Sequence, residues 1–181
     1  MPLPSAADIV AFWREAGPEK WFAKDEAFDA AIRKRFLPAH EAAAAGTLAD
    51  WEGTPEGAYA LLILLDQFPR NLFRDSARAF ATDAQALAVA ERAIARGFDQ
   101  GYQPPEQRFF YMPFMHSEEL AHQDRCVHLC EAASDPEGVR FAELHRDIIR
   151  DFGRFPHRNP VLGRETTAGE RAFLDKGGFA G

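Results

Sequence analysis

The sequence predicts an all-α protein of about eight helices arranged as antiparallel hairpins. Three observations carry this. Apolar residues recur at helical spacing, caps and Gly/Pro pairs bound each such segment, and no run alternates as a strand would. Short connections between amphipathic helices imply antiparallel neighbours. At 181 residues the chain is expected to be a single domain, 1–181, whose core needs no staples.

Each element has its own signals. Ser5 caps a helix to about residue 16, which Gly17-Pro18 ends. Asp25 opens EAFDAAIRKRFL, with Phe28, Ile32, Phe36 and Leu37 on one face. Thr54-Pro55 pairs an N-cap with a proline at the first helical position. Thr82 precedes DAQALAVAERAIAR, which Gly97 stops. Its small residues suit the close packing of a tetratricopeptide-like hairpin. Ser117 is expected to cap EELAHQDRCVHLCEAA, with two glutamates in the favourable first turn. Asp135-Pro136 begins a helix through about residue 152, closed by Gly153. Thr167 and Glu170 form a capping box for a last helix that Gly177-Gly178 ends.

Composition narrows the functional classes. Hydrophobic residues make up 46% and charged residues 27%, as in a folded globular protein. The net charge of −7 offers no cationic footprint for nucleic acid or for an anionic membrane surface. No signal peptide is legible, and the longest strictly apolar run, Ala58 to Leu65, is too short to span a bilayer. A soluble, cytoplasmic protein is expected. Cys126 and Cys130 lie four apart on a helix, where a disulfide would be strained, so both are read as buried free thiols.

Three segments carry the chemistry. The first is LLILLDQFPRNLFR (61–74), the end of a helix that is apolar all round. Pro69 is expected to stop or kink it at Phe68, leaving Asp66 in the last turn. There the macrodipole opposes a negative charge by only about 0.3–1 kcal/mol. An unpaired buried carboxylate would cost several times more, so Asp66 needs a partner, Arg70 or an arginine of the C-terminal third.

The second is YMPFMHSEELAHQDRCVHLC (111–130). Leu120, Cys126, Val127 and Cys130 share its buried face, with Gln123 in the middle and Glu119 at the edge. Glu119 and His122 have the i, i+3 spacing of carboxylate-bridged metal sites, but no second such motif exists and no metal site is assigned.

The third is HRDIIRDFGRFPHRNPVLGRETT (145–167). Phe141, Leu144, Ile148 and Phe152 form the buried stripe of its helix, Arg146 and Arg150 point to solvent, and His145 reads as a hydrogen-bonded core histidine. Beyond Gly153, Arg154, His157, Arg158 and Asn159 crowd into a stretch fixed by Pro156 and Pro160, the kind of loop in which binding groups concentrate. No Gly-rich phosphate loop and no nucleophile elbow is present, so the sequence specifies no cofactor.

Five stretches together resemble a bacterial family known as domain of unknown function 924: WFAKDEAFDAAIRKRF (21–36), ILLDQFPRNLFR (63–74), FATDAQALAVAERAIARGFD (80–99), FFYMPFMHSEEL (109–120) and FGRFPHRNPVLGRETT (152–167). The resemblance implies a tetratricopeptide-like helical fold and supplies no activity.

The three segments are expected to converge on one pocket for a small polar or anionic molecule, with arginines as clamps. Asp66, Gln67, Arg70 and Asn71 would meet Tyr111, His116, Glu119 and Gln123 from the second segment. Arg154, His157, Arg158 and Asn159 would complete it. For acid–base chemistry the candidates are His157 and His116, with Glu119 behind them. The competing reading is a helical-hairpin module that binds a peptide or protein in a groove, its Asp–Arg network purely structural.

Overall fold

The computed structural model describes residues 2–179, and among these the secondary structure is helical without strands. Helix α1 spans Ala6–Ala16 and buries Ile9, Val10 and Trp13; Ser5 and Asp8 form its capping box. A single turn, α2 (Pro18–Trp21), leads to α3 (Glu26–Ala44), which starts at the Asp25 cap and runs on through Pro38. Helix α3 therefore reaches further than the apolar stripe alone indicated.

The centre of the molecule is α4 (Pro55–Leu62), capped by Thr54. It does not end at Pro69. Residues Ile63–Gln67 form a π-turn, and α5 (Phe68–Leu72) continues from it with Pro69 in its first turn. The wider turn is how the chain accommodates a proline without breaking the helix. Phe68 N–H reaches back to the Ile63 carbonyl, which releases Leu64. At α-helical spacing Leu65 would have been served by the N–H that Pro69 lacks.

Side chains from three other places fill the gaps. His40 Nδ1 donates to the Leu64 carbonyl (2.8 Å), Thr82 Oγ1 to Leu65 (2.6 Å), and Arg70 Nη1 to Asp66 (2.7 Å). The Leu64, Leu65 and Asp66 carbonyls of the π-turn are thus paired by groups from α3, from the start of α6 and from α5 itself.

Helix α6 (Asp83–Ala95) packs its alanines, Ala86, Ala90 and Ala93, into the core. A short α7 (Met112–Met115) precedes α8 (Leu120–Ala132), α9 (Pro136–Phe152) and α10 (Ala168–Asp175). One apolar core joins α1, α3, α4–α5, α6, α7 and α8, while Ile148, Ile149 and Phe155 form a small satellite with Phe152, Phe173 and Phe179.

Two sequence expectations are corrected. Helix α8 starts at Leu120, not beside Ser117, whose Oγ accepts from Glu119 N–H (3.2 Å) and pairs with His122 Nδ1 (2.8 Å) in the preceding turn. Leu120 and Leu144 are 42% and 43% exposed, because each sits one position off the face its helix turns inward. Thr82, which precedes α6 as read from the sequence, gives that helix no side-chain cap bond, because its hydroxyl is spent on the π-turn.

Candidate functional site: a cavity of histidines and arginines

A cavity of about 620 Å³ opens between the π-turn, α7, α9 and the loop after α9. Its polar lining includes Gln67, Arg70, His116, His145, His157 and Arg158; its apolar lining includes Trp21, Phe80, Met112, Met115, Phe155 and Phe179.

Asp66 lies behind this lining, 1% exposed, because the π-turn points it inward. It receives Gln67 Nε2 at 2.5 Å and His116 Nδ1 at 2.7 Å, with Arg70 Nη1 at 3.5 Å. Burial opposes its charge, but the neighbouring His116 and Arg70 hold the carboxyl below its ordinary value. Burial pushes His116 the other way, and Arg70 adds to that push, so its imidazole stays neutral despite the carboxylate. The resulting hydrogen bond runs from Nδ1–H to Asp66 and leaves Nε2 as an acceptor.

Two guanidiniums share one aspartate here. Arg70 grips Asp83 with two bonds, Nη1–Oδ1 at 2.9 Å and Nη2–Oδ2 at 3.0 Å. Arg158 reaches only 3.6 Å from Asp83 Oδ2, and its Nη2 donates to the His116 carbonyl at 3.0 Å. Its plane is held between Phe80 and Phe155, each ring centre 4.5 Å from the guanidinium carbon. Burial, and then Arg70, bring the Arg158 pKa down to about 10, so it remains charged at neutral pH.

His145 donates Nδ1–H to the Phe141 carbonyl (2.7 Å), and burial brings its pKa down to about 4. Burial and Arg158 take His157 to about 3. Phe179 lies against both, its ring 4.6 Å from His145 and 5.4 Å from His157.

Of the residues the sequence marked, Gln67, Arg70, Asn71, His116, His157 and Arg158 line the cavity, with Asp66 supporting them. Asn71 also donates to Asp29 (2.8 Å). The others lie elsewhere. Tyr111 donates to Asp99 (2.8 Å) in the core. Gln123 is fully buried and donates to the Met115 and Ser117 carbonyls at 2.7 and 2.6 Å, closing the end of α7. Glu119 is exposed at the start of α8 and stands behind no histidine; Asp66 does.

Arg154 pairs with Glu170 (2.6 Å), and Asn159 donates to the same carboxylate (3.2 Å), so both fasten the loop to α10. That loop is also held by Glu118, which accepts from Phe155 N–H (2.8 Å) and Arg164 (2.7 Å).

Sequence reasoning missed Asp83, His145 and the aromatic lining as parts of a site. Asp83 sits in the first turn of α6, where an acidic residue is ordinary, and His145 shares its face with apolar residues. A second, more open depression of about 480 Å³ beside α3 and α5 is lined by Asp29, Arg33 and Arg74, and its Arg74–Asp29 pair is already closed. Among the described residues no cluster of His, Cys, Asp and Glu could hold a metal ion, and Cys126 and Cys130 are both buried and free.

The family described as a bacterial protein of unknown function, DUF924, matches residues 9–178. The chain belongs to this family. The chain also resembles the solved structure of a protein of unknown function, ATU0120 from Agrobacterium tumefaciens. The two share 50% identity and a TM-score of 0.92 over 94% of this chain and 97% of that one. No curated protein matches the sequence. The DUF924 match thus covers the cavity lining except Phe179. Among the described residues no helix is long and apolar enough to cross a membrane.

Proposed function

We propose that the cavity binds a small amphipathic anion, a carboxylate or phosphate monoester carrying an apolar or aromatic body. Arg158 is the observation that carries this reading. Its side chain is 8% exposed, and its Nε is buried without a hydrogen-bond partner. A guanidinium has five N–H donors, and one of these is used, on a backbone carbonyl. The nearest carboxylate, Asp83, already serves Arg70 in bidentate fashion.

Leaving a buried charged donor such as Arg158 Nε unmatched is costly, and an incoming anion would pair with the guanidinium two bonds at a time. The surrounding Phe80, Phe155, Met112 and Met115 suit the apolar remainder of such a ligand. In this reading the tetratricopeptide-like hairpins are a scaffold for the pocket rather than a peptide groove.

Isothermal titration with phenylacetate, phenyl phosphate, hexanoate and the neutral 2-phenylethanol tests it. The anions are expected to bind, the alcohol not, and Arg158→Met to weaken the anions by at least about tenfold. No binding by any of the three anions, or binding indifferent to Arg158→Met, would contradict the reading. Tighter binding of extended acidic peptides than of the small anions would favour a groove instead.

A further inference from the structure

Resting on that anion pocket, we propose that it is catalytic toward 2-oxo carboxylates: His116 removes a proton from C3 while Arg158 holds the carboxylate and the keto oxygen. The geometry around His116 is that of a positioned base. Nδ1 is fixed by Asp66 at 2.7 Å, and Asp66 is itself fixed by Gln67 at 2.5 Å. The backbone around the imidazole is pinned three times. Arg158 donates to the His116 carbonyl, and Gln123 donates to the carbonyls of Met115 and Ser117 on either side.

The imidazole lines the cavity with 11% of its side chain accessible, and Nε2 makes no hydrogen bond among the described residues. Two histidines outside the cavity differ. His40 packs in the core on a carbonyl of the π-turn, His128 bonds the Asp124 carbonyl of its own helix at the surface, and neither ring is held by a carboxylate.

The reaction class follows from what surrounds the base. Among the described residues of the lining, Ser76 alone carries a hydroxyl, its Oγ accepts from Arg78 N–H as a cap, and it makes no hydrogen bond to His116. Arg158, the guanidinium of this lining with the fewest hydrogen bonds, is then the group placed to serve both as anchor and as charge acceptor. A 2-oxo acid meets that condition, because its carboxylate and keto oxygen lie side by side and fit one guanidinium edge.

In the step, Nε2 takes the C3 proton and the C3–H electron pair becomes the C2=C3 bond. The carbonyl pair moves to oxygen, where Arg158 stabilises it. Return of the proton from Nε2 to C3 restores the keto acid, and delivery to oxygen gives the enol. Nothing is oxidised or reduced.

The test is loss of the C3 proton signal of phenylpyruvate and 2-oxobutanoate in D₂O, followed by proton NMR. Wild type is expected to exchange C3 at least about 100-fold faster than His116→Gln, with His128→Gln unchanged. Asp66 is a positioning residue. Asp66→Asn should slow exchange and also move the acid limb of the pH profile to lower pH, because the carboxylate that favours the imidazolium is gone. A merely structural loss would scale the rate without moving that limb.

If Asp66→Asn fails to fold, the His116→Gln comparison and the wild-type pH profile still decide. Exchange no faster than in His116→Gln overturns the proposal. Titration of the same two acids separates the failures: binding that depends on Arg158 without exchange removes the base and leaves the pocket, whereas no binding removes both.

Discussion

Arg158 is where stability and binding pull in opposite directions. It is buried between Phe80 and Phe155 with most of its donors unmatched, an arrangement that a scaffold alone does not require. Removing Arg158 leaves no carboxylate unpaired, because Asp83 keeps both bonds to Arg70, so the cost of breaking a buried ion pair does not arise. Arg158→Met is therefore expected to unfold in denaturant within about 1 kcal/mol of wild type, or later, while losing ligand. A sharp loss of stability would mark Arg158 as scaffold. Arg154 gives the contrast, because Glu170 already satisfies it with two bonds.

The repeated letters FPRN (68–71) and FPHRN (155–159) acquire a physical meaning here. Both arginines turn to Asp83, while Asn71 and Asn159 donate to Asp29 and Glu170. Sequence marked these residues together and could not say that Asn159 would leave for the loop while Asn71 stays in the lining.

Among elements, the π-turn shapes the site most. It carries Asp66 inward in mid-helix, where an α-helix ended by Pro69 would have left it in a last turn. The proline signalled irregularity, but its outcome depended on donors from distant parts of the chain. His40 and Thr82 supply the bonds that let the helix continue. Thr82→Val removes one of them at nearly constant volume and leaves the Leu65 carbonyl unpaired. Equilibrium unfolding should show a loss of about 1–3 kcal/mol, and an unchanged midpoint would mean the π-turn does not depend on this bond.

Helix α10 behaves more simply. Its capping box was legible from Thr167 and Glu170 and is formed as such, with Glu170 N–H on Thr167 Oγ1 at 3.2 Å and Thr167 N–H on Glu170 at 2.8 Å. Thr167→Ala should cost about 1 kcal/mol. Glu170→Gln should cost more, since that carboxylate also holds Arg154 and Asn159.

Across the whole molecule, the cavity histidines tie stability to pH. His145 and His157, with pKa values brought down to about 4 and 3, are neutral in the fold, and His116 is lowered as well. An unfolded chain would protonate all three near the ordinary imidazole value of about 6.5. The unfolded state thus binds more protons below that point, so stability is full above about pH 6.5 and falls as pH drops toward 4. The melting temperature should decline through this window, above the range where most carboxylates titrate. His145→Gln, which keeps a donor for the Phe141 carbonyl, should make the decline shallower; an equal slope would exclude His145 as a contributor.

At this scale the helical class, the caps and most core faces were legible, because each rests on local spacing. The site was legible in half. Asp66, Arg70, His116, His157 and Arg158 stood out as polar groups beside apolar runs. Glu119, Tyr111, Gln123, Arg154 and Asn159 did so equally, and only tertiary packing assigns them to loops and core. The apolar lining was invisible, since nothing in the sequence separates Phe80, Phe155 and Met112 from ordinary core residues. The account as a whole rests on Arg158 meeting an anion in this cavity. The most direct measurement is titration of phenylpyruvate into wild type and Arg158→Met under identical conditions. Binding to wild type that weakens at least about tenfold in a folded Arg158→Met is the predicted result. Equal affinity in the two proteins, or none in either, would contradict it.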